Sequence, residues 1–294
     1  MKQNHYKGKY TAKRKKAPLW LWLIPLVMLF ISLIATGKII WDRYTAQAEY
    51  ARMAAAVREA EAAVATAETV LPTEFPETTA GTEPTQTVET TVVTEPESTG
   101  PLPQYQALFE ENPEMAGWLR IDGTKIDYPV MHTPDDPEKY LHLSFQGEYN
   151  YGGVPFIDYR CTEDSDNIVI YGHNMSDGSM FCDLPKYEQK KYWEEHPTIR
   201  YDSVYEEREY EVVAAFYDRV YYTHENVFKF YNFITASTAA EYNEAIEKFK
   251  EKSIYDTGVT PQYGDQLITL VTCTYQVENG RFVLVAREKQ PDTN

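Results

Sequence analysis

The sequence predicts a mostly β domain with a few helices, an antiparallel or mixed β-barrel, carried behind a membrane-spanning helix and an extended linker. Three observations predict it. From Trp118 onward, short β-type runs are broken by turn residues: WLRI, DGTKIDYPVM, GVPFIDY, NIVIYG, YEVVAAFY, LITLVTC and RFVLVA. These runs do not alternate with helical patterns, so a barrel is favoured over a βαβ fold. Ahead of them lie one long uncharged stretch and one Thr/Pro/Glu-rich segment.

Residues 1–16 carry seven Lys/Arg and no acid, and read as a cytoplasmic tail. Ala17 to Gly37 then runs 21 residues without a charge, and a membrane span needs about 20. With Trp20, Trp22 and Trp41 as interfacial residues, the anchor covers 17–41. The basic flank stays in the cytoplasm, so the rest of the chain lies outside the cell. A cleaved signal peptide is the competing reading, but its apolar region would run about 7–15 residues and end at a small-x-small site.

Residues 42–70 are rich in Ala and Glu, lack Gly and Pro, and predict a helix that continues outward. Its apolar stripe is weak and mostly alanine, which suggests a loosely packed stalk or self-associating coil. Residues 71–103 form the linker. From Pro72 to Pro103 there are ten Thr, six Pro and six Glu, with no Lys or Arg. Such a segment buries too little apolar surface to offset its chain entropy, and is expected to be a disordered tether.

The folded unit spans 104–289, enough for one core, with 290–294 as a tail. Gln104 to Met115 predicts a short helix stopped near Gly117, and Tyr187 to His196 a second one. A third is better marked: Thr238 and Glu241 make a T-x-x-E capping box, after which Tyr242, Ala245, Ile246 and Phe249 share a face to about Ser253.

Of the net charge of −17, all belongs to the second part, where residues 102–294 hold 17 Lys/Arg against 34 Asp/Glu. An acidic exterior repels phosphates, which argues against a nucleic-acid partner. Three cysteines, Cys161, Cys182 and Cys273, leave at least one thiol free or intermolecular; pairing of Cys161 with Cys182 stays open. No C-x-x-C, H-E-x-x-H or zinc-spaced cluster occurs, so neither a metal nor another cofactor is expected.

Chemistry concentrates at three run ends. LITLVTC drives a strand to Cys273, and after a short polar turn Arg281 opens the next. A guanidinium facing a thiol on rigid supports can favour the thiolate or a developing oxyanion. NIVIYGHN carries a strand into Gly172 and then presents His173, the side chain best suited to proton transfer near neutral pH. Singly, each has a bland reading: a buried inert thiol, a turn histidine, a salt-bridging arginine. Together they form a constellation more specific than its members.

With these residues in place, the sequence resembles the sortases, and within them class B. The resemblance covers 104–289. It rests on NPEMAGWLRIDGTKIDYPVM (Asn112 to Met131), IVIYGHNMSDGSMFCDLPKY (Ile168 to Tyr187), the helix near Thr238 to Ser253 followed by YGDQLITLVTCTY, and GRFVLVAR. It implies a single closed barrel of about eight strands with an N-terminal helix and a helix between strands six and seven. It also implies a cysteine transpeptidase of Gram-positive bacteria with His173, Cys273 and Arg281 as its triad. Tyr171, Asn174, Thr272, Thr274 and Tyr275 are the residues expected to orient the histidine or line the groove. Implied partners are the sorting signal of a surface protein, an amine of peptidoglycan or its precursor, and the lipid bilayer. Two departures touch specificity: Thr274-Tyr275 follows the cysteine where some class B members have an acid, and only seven residues separate Cys273 from Arg281.

Alternatives remain at this stage. A pilin-polymerising sortase shares the chemistry with a lysine acceptor. A papain-like protease needs a helix after its cysteine, and an L,D-transpeptidase an S-x-G-C-type motif, where Leu270-Val271-Thr272 stands instead. A stalked, non-catalytic adhesin would suit the linker and the acidic domain equally well.

Overall fold

The computed structural model describes residues 20–69, 100–274 and 276–290. The expected cytoplasmic tail, the first residues of the expected anchor, nearly all of the expected linker, Tyr275 and most of the C-terminal tail therefore lie outside the described residues. The chain divides between Tyr44 and Thr45 into two units. Helix α1 spans Trp20–Thr69. In the first unit its side chains, such as Leu26, Phe30 and Trp41, are exposed. Among the described residues this is the one helix whose length and composition suffice to cross a membrane.

In the second unit the expectation of a loosely packed stalk is corrected. Tyr50, Met53, Ala54 and Val57 of α1 are buried in the same core as the β-strands. They recur at helical spacing, one or two turns apart, and so share one face. The larger side chains on that face supply the contact that an alanine stripe by itself is too thin to make. Charge pairs border the contact: Arg58 with Asp127, and Glu61 with Arg120 at 3.1 Å and Arg200 at 3.3 Å.

Helix α2 is Pro103–Glu111, shorter than the expected Gln104 to Met115. Asn112 precedes Pro113 and is extended (φ −139°, ψ 99°), because the proline ring disfavours helical backbone in the residue before it. Met115 already belongs to a strand. Eight strands follow: β1 Met115–Arg120, β2 Asp127–Met131, β3 Phe156–Ile157, β4 Asn167–Tyr171, β5 Thr198–Ser203, β6 Glu209–Arg219, β7 Leu267–Cys273 and β8 Gly280–Glu288. They close into a barrel in the order β1-β2-β3-β4-β7-β8-β6-β5. The β2–β3 and β4–β7 pairs are parallel and the others antiparallel, so the barrel is mixed.

Strand β5 is missing from the β-type runs of the sequence. TIRYDS looks polar, yet Ile199 and Tyr201 alternate inward between Thr198, Arg200 and Ser203. The helix expected from Tyr187 to His196 is two pieces, a 3-10 turn at Leu184–Glu188 and α3 at Lys190–Glu195, separated by extended Gln189. Helix α4, Ala239–Lys252, lies between β6 and β7 as expected. Thr238 caps it by accepting the Glu241 N–H, and Tyr242, Ala245, Ile246 and Phe249 are its buried face.

Strand β7 is buried along its length until Cys273, as a strand covered on both faces must be. At its start, Thr269 Oγ1 donates to Asn167 Oδ1 at 2.8 Å, and Asn167 Nδ2 donates to the Phe233 carbonyl at 2.7 Å. These bonds satisfy the polar atoms inside the wall. The register of β4 and β7 thereby delivers Tyr171 beside Val271, and the next residues of both chains emerge at the same barrel end.

Candidate active site

The ends of β4, β7 and β8 converge on a cleft of about 360 Å³. Its lining includes Leu141, Val154, Phe156, Asp158, Tyr171, Gly172, His173, Thr272, Cys273 and Arg281. Cys273 and Arg281 are cross-strand partners in the β7–β8 ladder, which puts both side chains on one end of a rigid hairpin. The turn between them returns through Asn279 (φ 57°), a left-handed position that asparagine tolerates better than most residues.

Strand ends β4 and β7 are stitched together at the site. Gly172 N–H donates to the Val271 carbonyl at 3.1 Å, Thr272 Oγ1 to the Gly172 carbonyl at 2.7 Å, and Asn174 Nδ2 to the Cys273 carbonyl at 3.1 Å. Gly172 is needed for close approach: a Cβ there would stand 2.7 Å from the ring of Phe181. Phe181 in turn donates its N–H to the His173 carbonyl at 2.8 Å.

His173 Nε2 lies 3.0 Å from the Leu141 carbonyl. A carbonyl only accepts, so Nε2 carries the hydrogen and Nδ1 is the ring atom left for proton transfer. Burial lowers the pKa of His173, opposed by the Leu141 bond, while neighbouring His142 lowers it further. His142 stacks on His173 with ring centres 5.4 Å apart.

Among the described residues no carboxylate pairs with Arg281, whose Nη1 donates to its neighbour's carbonyl, Gly280 O, at 2.9 Å. Its charge is thus uncommitted within the cleft. By contrast the charge of Asp158, also in the lining, is paired with Arg160. Burial opposes its ionisation, but two bonds from Arg160 at 2.8 Å and one from Tyr171 Oη at 2.9 Å outweigh that and hold it below the ordinary carboxylate value.

All three thiols are free. Burial pushes Cys161 up to about 11, and burial with Asp183 does the same for Cys182, so both stay protonated near neutrality. Neither lines the cleft. Among the described residues no group of His, Cys, Asp and Glu could hold a metal ion.

Of the residues read from the sequence, the structure brings His173, Cys273, Arg281, Tyr171 and Thr272 to the cleft. Asn174 braces the Cys273 backbone rather than the histidine, and Tyr171 bonds Asp158. Thr274 is buried behind the turn, its N–H donating to the Gly280 carbonyl at 3.0 Å; Tyr275 lies outside the described residues. Leu141, His142 and Asp158 were not anticipated. Asp158 and Arg160 sit two apart in FIDYR, in the turn that follows β3, a signal available in the sequence; nothing there points to a backbone carbonyl as the histidine's partner.

Comparison with known proteins gives a consistent result. A sortase-domain family model matches residues 119–289. Sortase B of Listeria monocytogenes is 37% identical over 178 residues, covering 59% of this chain and 69% of that protein. A Staphylococcus aureus sortase B–substrate complex is 27% identical with a TM-score of 0.57, covering 66% of this chain and 88% of that one. A structure of sortase B complexed with triglycine, also 27% identical, has a TM-score of 0.57 and covers 64% and 86%.

Proposed function

This chain belongs to the sortase family, as a class B cysteine transpeptidase, and from that premise we propose that Cys273, His173 and Arg281 cleave a threonine-containing sorting signal and transfer the surface protein to an amine of the cell wall. The observation that carries the proposal is one cleft lined by all three side chains.

The Cys273 thiolate attacks the threonine carbonyl carbon, forming a C–S bond and a tetrahedral oxyanion. The Arg281 charge, with backbone N–H groups near Thr272 and Cys273, stabilises that oxyanion. Protonated His173 gives its proton to the leaving amine as the C–N bond breaks, leaving a thioester and neutral imidazole. An incoming amine then attacks the thioester, His173 takes the amine proton, and the new amide releases Cys273. A neutral, partly desolvated His173 suits the second step, and the uncommitted Arg281 suits the first. The S. aureus relative's substrate complex and the triglycine complex support a peptide donor and an amine acceptor.

Residues 17–41 hold the enzyme in the bilayer, with the basic N-terminal tail in the cytoplasm and the catalytic domain outside. Tyr171 and Thr272 line the donor site, and Tyr275 contributes to the choice of signal. The test uses the full chain in detergent with a library of threonine-containing pentapeptide signals and triglycine. Mass spectrometry should find a thioester on Cys273 and a signal-triglycine amide. Product formation by Cys273→Ala would sink the mechanism.

A further inference from the structure

The segment of α1 in the second unit touches the cleft's supports at one residue. Tyr50 is 2% exposed, and its hydroxyl donates to the Gly153 carbonyl at 3.0 Å while accepting from Asn150 Nδ2 at 3.3 Å. Gly153 (φ +58°) lies so close to the carbonyls of Tyr140 and Leu141 that a Cβ would meet either at 2.4 Å. Val154 N–H donates to the Tyr140 carbonyl at 3.2 Å, and Asn150 N–H to the His142 carbonyl at 3.0 Å. The Leu141 carbonyl held in this knot is the one that receives His173 Nε2–H.

A second path starts from the same ring. Tyr50 packs edge-on against Tyr128, with ring centres 5.6 Å apart. The Tyr128 hydroxyl accepts the Met180 N–H at 3.1 Å. Met180 (φ 55°) bridges to Asn174, and the adjoining Phe181 N–H holds the His173 carbonyl. One side chain thus braces both the partner of the imidazole and the backbone that bears it.

We infer that Tyr50 is a positioning residue for His173, so that residues 45–61 of α1, though separated in sequence from the barrel domain, are a working part of its active site. The inference rests on the reading of His173 as the general acid and base. A shift of the Leu141 carbonyl would release the ring from the tautomer that leaves Nδ1 free, which lowers turnover and leaves the donor peptide's binding unchanged.

The test compares full-chain wild type, Tyr50→Phe, Tyr50→Ala, Asn150→Ala and His173→Ala in detergent, with a signal peptide selected from the library and triglycine as acceptor. Tyr50→Phe removes only the hydroxyl; kcat should fall about 3- to 10-fold with KM unchanged and Tm within about 2 °C of wild type. Asn150→Ala should behave similarly. Tyr50→Ala also removes the contact with Tyr128 and should cost about 10²-fold in kcat. Wild-type kcat in Tyr50→Phe and Tyr50→Ala, with His173→Ala inactive, would overturn the positioning role alone. A fall in Tm with kcat intact would reduce the helix to a brace and overturn it too. Activity in His173→Ala would overturn the catalytic reading and this inference with it.

Discussion

Replacing Gly172 with alanine probes the junction on which the active site is built. The new Cβ would stand 2.7 Å from the Phe181 ring, whereas ordinary carbon contacts begin near about 3.5 Å, so the neighbours must part by roughly 0.8 Å. Neither can do so freely. Phe181 is fully buried and its N–H is bonded to His173, while Gly172 is bonded on both sides to β7. Overpacking of one methyl in such a site costs about 1–3 kcal/mol. In a domain of this size that lowers Tm by about 2–12 °C, at about 2–4 °C per kcal/mol. Because either displacement moves His173, kcat should fall by up to about 10²-fold. Differential scanning fluorimetry and single-turnover acylation of Cys273 would measure the two effects. Adding Phe181→Ala to Gly172→Ala removes the Cγ and Cδ atoms that the new Cβ meets and should restore part of the acylation rate, at a further cost in Tm from the cavity left behind. Wild-type Tm and acylation in Gly172→Ala would refute the close approach as the reason for glycine.

Iodoacetamide near pH 7.5 should modify Cys273 well before Cys161 and Cys182, whose pKa values are raised to about 11; peptide mapping that finds either of those two labelled first would contradict this. His173 and His132 both have pKa values below 6.5, chiefly through burial. The unfolded chain therefore binds more protons than the folded one, and stability should be lost as pH falls through about 6.5 towards the lower folded values; Tm scans from pH 8 to 5 should show the decline, and substituting His132 with Gln should flatten it. Thr238→Ala removes the oxygen that accepts the Glu241 N–H and should cost about 1 kcal/mol, seen as a lower urea midpoint with acylation preserved.

The barrel was largely legible in the sequence because its walls are made of short, densely apolar runs. LITLVTC, NIVIYG and RFVLVA are buried on both faces, so hydrophobicity alone marks them, and the capping box marked α4 through local chemistry. Strand β5 escaped because its inward residues alternate with Arg200 and with Asp202, itself buried but bonded to Arg200 Nε at 2.8 Å and Tyr105 Oη at 2.5 Å. The docking of α1 escaped for a related reason: Tyr50, Met53 and Val57 stand among alanines, and their weight depends on the surface that receives them.

What the sequence determined by itself is therefore local: a span apolar enough for a membrane, strand-forming runs, a cap, and three side chains of matched chemistry at run ends. Residues 104–289 also carried enough of a family's pattern to identify the transpeptidase class. Only the tertiary structure decided the rest. It put β4 beside β7 in parallel, gave Cys273 and Arg281 a shared ladder position, chose the Leu141 carbonyl to orient His173, and drew Tyr50 in from beyond the linker. Hydrophobic pattern records how much of a segment is buried, whereas hydrogen-bond partners distant in the chain depend on the closure of the barrel, which no local stretch encodes.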